Sequence, residues 1–460
     1  MGAVVNKHQY AFGKSIIRTI AFWLSLILIF MISWEYMISI GDLGTRGPKI
    51  TGLLLAAFWV VTVVVTGRFR KPHPFHAAVY LFVLWNAVSA FWSFDVEMTV
   101  HRTLTYFQLA GLVFILWDLY VSPAALQAGM QAYVLGAYVA IGSTVVNYLT
   151  GTTYSSGRIS ATGFNPNNLG LVLALGLPVA WHLAVSETNS KMLRRLRLVN
   201  YAYVPAAILA ILLSASRGSL VAALPALVFV LGSLTRLKPL IRVLILAALI
   251  VALFALQPLV PQSSVQRLAT AGSSVAEGDI GHRVYIWREG LFVFSEHPLL
   301  GVGSAAFRTV VGLGRVAHNS FISILVELGM IGFALFAIIL AIAVYQAMRQ
   351  SRWDAAFWLA VLMVWALGLS VHTWEQKKPT WLFLGLVVVG GGLPMRRDEP
   401  ILRSEFPVKS IGSPNSQSFG VMDQTALKAP ARQDNQGQAG KGENWSASNG
   451  RDRSILLNRK

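Results

Sequence analysis

Three arginines and one histidine stand where an apolar chain has least use for charge. Arg158 opens Arg158-Ile159-Ser160-Ala161-Thr162-Gly163-Phe164-Asn165-Pro166-Asn167-Asn168, and Arg217 sits in Ser214-Ala215-Ser216-Arg217-Gly218 with almost no loop around it. Arg283 comes four residues before Trp287, and His318-Asn319 precedes a long apolar run. Arginine presents a planar fork of donors and never loses its charge, which suits it to a diphosphate. In a partly dry site such bonds strengthen as charge develops on a departing group. A histidine titrates near neutral pH and can take the proton of an attacking hydroxyl. Together these residues point to an anion held at a membrane surface beside a proton acceptor.

Each residue also has a plainer reading. Arg158 can be incidental to a turn in which Asn167 or Asn168 caps the next helix. Arg217 can snorkel from a helix end, and Arg283 with Trp287 can anchor an amphipathic helix at the interface. His318-Asn319 can be a polar cap on the span that follows. Glu327, eight residues into that span, is as well suited to a structural histidine or arginine partner as to chemistry. His372, Glu375, Lys377 and Lys378 form a further polar cluster, open to either reading.

The elements that position these residues are membrane helices. Of the 460 residues, 55% are hydrophobic and 13% charged, against about 25% charged in soluble domains. There is no cysteine, which excludes disulfides and thiolate chemistry. The net charge of +18 fits basic loops on the cytoplasmic side of a polytopic protein, and no nucleic-acid partner is expected. The first apolar run is too long for a cleavable signal peptide. About 20 apolar residues cross a bilayer core, which predicts twelve spans. These are 15–40, 50–67, 74–94, 102–121, 124–149, 167–186, 199–214, 218–235, 240–260, 319–347, 353–372 and 380–395. With twelve spans, the Lys/Arg clusters at 7–18, 68–71, 191–197, 236–242, 349–352 and 396–397 all share one side. That side should be the cytoplasm, with both termini inside.

The opposite face then holds Arg158, Arg217 and the loop at about 261–318. Within this loop, Val284, Trp287, Leu291 and Phe294 fall at helical spacing as an apolar face, and Pro298, Gly301 and Gly303 turn the chain. Residues 396–460 are polar and low in apolar content, so a disordered cytoplasmic tail is expected after a membrane domain at 1–395. Asp42, Asp95 and Glu97 are isolated and no Asp-x-Asp pair occurs, which disfavours a hard-cation site. No nucleotide-binding fingerprint occurs either, and no cofactor is expected.

Arg283 with Trp287, His297-Pro298-Leu299-Leu300-Gly301-Val302-Gly303, and His318-Asn319 followed by Glu327-Leu328-Gly329 resemble, in that order, the O-antigen ligase and polymerase family. The Arg158 and Ser216-Arg217-Gly218 segments are similar to the family as well. The resemblance covers roughly residues 150–395. It implies an all-α, GT-C-like bundle in the bacterial inner membrane that transfers a glycan en bloc from undecaprenyl diphosphate, with inversion and without a metal. The acceptor would be another lipid-linked glycan for a polymerase, the closer match in layout, or lipid A–core for a ligase. Implied catalytic residues are His318, Arg217 and Arg283; Arg158, Asn165, Asn168, Trp287, Asn319 and Glu327 would bind substrate. The alternatives are a flippase of lipid-linked glycans, against which the one-sided polar residues and absent repeat argue, or a structural partner of polysaccharide-export proteins.

Overall fold

The computed structural model describes residues 2–37, 46–154, 157–186, 191–240, 283–312 and 314–393, with 242, 243 and 247. The expected tail, the residues 261–282 of the long loop and nearly all of the span expected at 240–260 lie outside the described residues.

Helices occupy every other position at which a span is expected. They run α1 (Gly2–Ile32), α2 (Arg46–Thr66), α3 (Pro74–Val88), α4 (Val96–Leu119), α5 (Pro123–Leu149) and α6 (Pro166–Val185). After the short α7 (Lys191–Arg195) come α8 (Arg197–Leu213) and α9 (Arg217–Ser233). Beyond the gap lie α10 (Arg283–Glu296), the one-turn α11 (Phe307–Val310), α12 (Ser320–Met348), α13 (Arg352–Val371) and α14 (Lys378–Gly391). Seven helices among the described residues are long and apolar enough to cross a membrane. No strand occurs among the described residues, so the protein is an all-α polytopic membrane bundle.

Helix α6 is the spine. It is buried along almost its whole length and packs against α5, α8, α9 and α13. Helix α12 packs on α3, α13 and α14, and α10 lies against α12. The basic ends of the helices gather together: Arg18 pairs with Asp118, Arg70 donates to Trp117 O and Gly392 O, and Arg236 stacks on Trp353. Helices α6, α9 and α12 run toward this end, so their first residues meet at the other.

The long loop departs from its expected form at two points. Helix α10 forms where the periodicity places it, but Val284 and Leu291 are exposed, and Ile286 and Gly290 are the buried positions. Gly290 lets the ring of Phe307 come within 2.9 Å of where a β-carbon would stand. The second point concerns His297–Gly303, which does more than turn. Helix α12 is broken at Gly329 (φ 65°, ψ −168°), a backbone conformation reserved for glycine. The loop inserts its backbone into this break: Val302 N donates to Val326 O, Gly303 N to Glu327 O, and Met330 N to Pro298 O. Trp85 Nε1 donates to Leu328 O (3.0 Å), satisfying a carbonyl beside the break.

Candidate functional site

The starts of α6 and α9 are sewn together by one asparagine. Asn167 Oδ1 accepts from Arg158 Nη2 (2.8 Å) and from Ser216 Oγ (3.0 Å), and Asn167 O accepts from Ser219 Oγ (3.1 Å). Arg158 Nε also donates to Ser214 O (2.8 Å). Arg158 thus holds the turn from α8 to α9, in which Ala215 takes a left-handed conformation (φ 47°). Arg217 follows as the first residue of α9, with Ser216 capping the helix through Ser219 N. The helix cap expected at Asn167 or Asn168 is instead Asn165, whose Oδ1 accepts from Asn167 N (2.9 Å). Asn168 Oδ1 accepts from Trp374 Nε1 (3.0 Å).

Gly218 has a packing reason to follow Arg217. A β-carbon there would stand 2.9 Å from Val371 Cγ2 and 3.5 Å from His372 Cε1. Only a glycine lets the end of α13 close on the first turn of α9.

Arg283 begins α10, within electrostatic reach of Arg217. Burial, and then the charge of Arg217, lower the pKa of Arg283. Two guanidinium groups within electrostatic reach of each other, each on the first residue of a helix, make a field that favours an anion.

His318 is placed by strain and by a tether. Its backbone is left-handed (φ 49°), uncommon outside glycine, though histidine, with asparagine and aspartate, adopts it more often than other residues. Such conformations cluster at functional sites. Trp287 Nε1 donates to Ala317 O (2.8 Å), tying α10 to the residue just before it. Asn319 caps α12, its Oδ1 accepting from Phe321 N (2.9 Å) and Ile322 N (3.1 Å). Burial and then the charges of Arg283, Arg315 and Arg308 push the His318 imidazole down to about 4. It is therefore neutral at pH 7, with a lone pair to accept a proton.

Arg158, Arg217, Arg283, Trp287, His318 and Asn319 thus belong to one end of the bundle, with Asn165 and Asn168 at the adjoining start of α6. Glu327 lies two turns further along α12, in a buried network with Arg102. Its Oε2 is 3.5 Å from Arg102 Nη1 and accepts from Ala305 N (2.9 Å), and Ser323 Oγ donates to Oε1 (3.3 Å). Arg102 also pairs with Glu375 (3.2 Å). An arginine opposite an intramembrane carboxylate is the sequence signal for this pair, but the two residues are 225 positions apart.

The turn His372–Lys377, part of the further polar cluster of the sequence, also closes on the site. Ser320 Oγ donates to His372 O (2.9 Å) and accepts from Trp374 N (2.8 Å), which binds the turn to the start of α12.

The O-antigen ligase family model matches residues 202–337. The match spans Arg217, Arg283, Trp287, His318, Asn319 and Glu327, and leaves Arg158 and the His372 turn outside it. No curated protein sequence matches the chain.

Proposed function

We propose, with this chain's assignment to the O-antigen ligase family as the premise, that it transfers a glycan en bloc from undecaprenyl diphosphate at the periplasmic face of the inner membrane. The match of residues 202–337 to the O-antigen ligase family and the apolar helices support a membrane glycosyltransferase of that type. The observation that carries the finer reading is the pairing of Arg217 and Arg283 beside a neutral, strained His318.

In this reading the two arginines engage the diphosphate of the donor. Their hydrogen bonds strengthen as negative charge builds on the departing undecaprenyl diphosphate. His318 takes the proton from the acceptor hydroxyl, whose oxygen attacks the anomeric carbon from the face opposite the diphosphate and inverts it. Trp287 and Asn319 hold the backbone on either side of His318, and Arg158 holds the turn that presents Arg217. Charge stabilisation and proton transfer are both supplied by side chains, without a metal. The basic helix ends face the cytoplasm, as do both termini.

The acceptor in this reading is another lipid-linked glycan, which makes the protein a polymerase of O-antigen or exopolysaccharide repeats. Transfer to lipid A–core is the second reading, favoured by the description of the matched family. A deletion strain separates them on gels of lipopolysaccharide and secreted polysaccharide. Core carrying a single repeat indicates a lost polymerase, and core carrying none indicates a lost ligase. Unchanged polysaccharide in both fractions would refute the proposed function.

A further inference from the structure

The turn from α13 to α14 concentrates buried polar atoms that no protein group satisfies. His372 is buried, and its Nδ1 lies 3.0 Å from Gly368 O. A carbonyl only accepts, so the ring proton sits on Nδ1 and Nε2 is a bare acceptor. Nε2 has no hydrogen-bond partner, and neither have Thr373 Oγ1, Glu375 Oε2 and Gln376 Oε1. A buried polar group without a partner is unfavourable. Several within five residues mark a place where a ligand supplies the partners.

The chemistry of these atoms selects the ligand. His372 Nε2, Glu375 Oε2 and Gln376 Oε1 can only accept, and Thr373 Oγ1 can accept as well. An ionised phosphate brings only acceptors and cannot satisfy these atoms. A sugar brings hydroxyl donors in number. The location agrees, because Arg283, His318 and Arg158 are all near enough to His372 to act on its charge. The turn is bound to the starts of α6 and α12 through Trp374 and Ser320, and it packs on α9 at Gly218. Donor groups for an anion and acceptor groups for hydroxyls therefore adjoin, which is the pattern a sugar diphosphate presents.

We infer that the turn His372–Gln376 is a sugar subsite: His372 Nε2, with Thr373, Glu375 and Gln376, accepts hydrogen bonds from hydroxyls of the sugar beside the diphosphate. The inference rests on the glycosyl-transfer reading above. The sugar belongs either to the donor or to the acceptor, and binding and kinetic measurements distinguish the two.

The test uses full-length protein in detergent, with His372→Phe, His372→Gln and Gln376→Met. Two probes are titrated: undecaprenyl diphosphate, and the glycan-bearing carrier extracted from the deletion strain. His372→Phe and Gln376→Met should bind the bare carrier as the wild type does. Each should lose about 5- to 10-fold, the scale of one hydrogen bond, either in Kd for the glycosylated carrier or in KM for the acceptor at saturating donor. The first result identifies the donor sugar and the second the acceptor sugar. His372→Gln, which keeps an accepting oxygen, should recover most of the loss. Gln376→Met leaves the His372 ring in place and keeps the test alive if His372→Phe fails to fold. Equal weakening for both carriers, or no change in any constant, would overturn the subsite. A wild type that binds neither carrier would remove the glycosyl-transfer reading, and this inference with it.

Discussion

Gly301 and Gly329 meet backbone to backbone. A β-carbon on Gly301 would lie 2.5 Å from Gly329 N, and one on Gly329 would lie 2.7 Å from Gly301 N. Both have positive φ, at 70° and 65°. This contact seats the loop that follows α10 in the break of α12, and so fixes the start of α12, where His318 and Asn319 stand.

Replacing either glycine with alanine should therefore act at a distance from the site. Gly329→Ala carries about 1–3 kcal/mol of backbone strain, and its β-carbon would stand 2.2 Å from Leu299 O. A clear drop in thermal midpoint in detergent is expected, with loss of transfer. Gly111→Ala is the control, since nothing lies within 4 Å of its β-carbon position. Equal midpoints for the two variants would show that the contact is not needed.

The pH profile tests His318. A base must be neutral to accept a proton, so activity attributable to it is present above its pKa and lost below. With the imidazole pushed down to about 4, transfer should stay level from pH 8 to pH 5.5 and fall only nearer 4. An unperturbed histidine would halve the rate near 6.5. Arg315→Gln removes one of the depressing charges and should move the midpoint upward. A midpoint near 6.5 in the wild type would separate the titrating base from His318 as placed here.

Arg217→Lys and Arg283→Lys should each lower transfer by at least about 100-fold, an effect comparable to removing one preorganised donor. Lysine retains the charge and loses the fork that binds two oxygens. Measuring released undecaprenyl diphosphate from properly inserted protein gives the answer. Near-normal release from the lysine variants would reduce both arginines to membrane anchors.

Trp287→Phe keeps an aromatic ring and deletes the donor to Ala317 O. Since one hydrogen bond is worth about 0.5–1.5 kcal/mol, kcat should fall about 3- to 10-fold with KM for the donor unchanged. A fall in donor affinity at constant kcat would place Trp287 against substrate instead of behind His318.

Hydropathy was enough to place the helices, because a membrane span announces itself within about 20 residues. The residues of the arginine and histidine end stood out for a related reason: charge on the face opposite the basic loops needs an explanation. What escaped the sequence depends on partners far away along the chain. Val284 and Leu291 share a helical face with Trp287, yet packing against Phe307 and Val326 chose Ile286 and Gly290. Gly301 and Gly303 looked like turn residues because their contacts lie far along the chain, Gly301 against the break at Gly329 and Gly303 against Ser93. Asn165 rather than Asn167 caps α6, since Asn167 is already engaged by Arg158 and Ser216. His372 stood in a polar cluster that the sequence left open to either reading, and its placement comes from Gly218 and Ser320.

The loop Leu300–Ala305 has a consequence for modularity. Within the family-matched residues it is fastened by groups that lie before them in the chain: Trp92 Nε1 donates to Leu300 O and Phe94 N to Val302 O, while Ser89 Oγ accepts from Ser304 N and Asn86 Oδ1 from Ser304 Oγ. Thr99 Oγ1 adds a bond to Ser304 O (2.6 Å). A fragment cut at the borders of the match would expose each of these atoms without its mate. The recognisable segment is therefore not a transplantable cassette. Exchanging it between relatives should preserve function only when α3, the start of α4 and the turn between them travel with it.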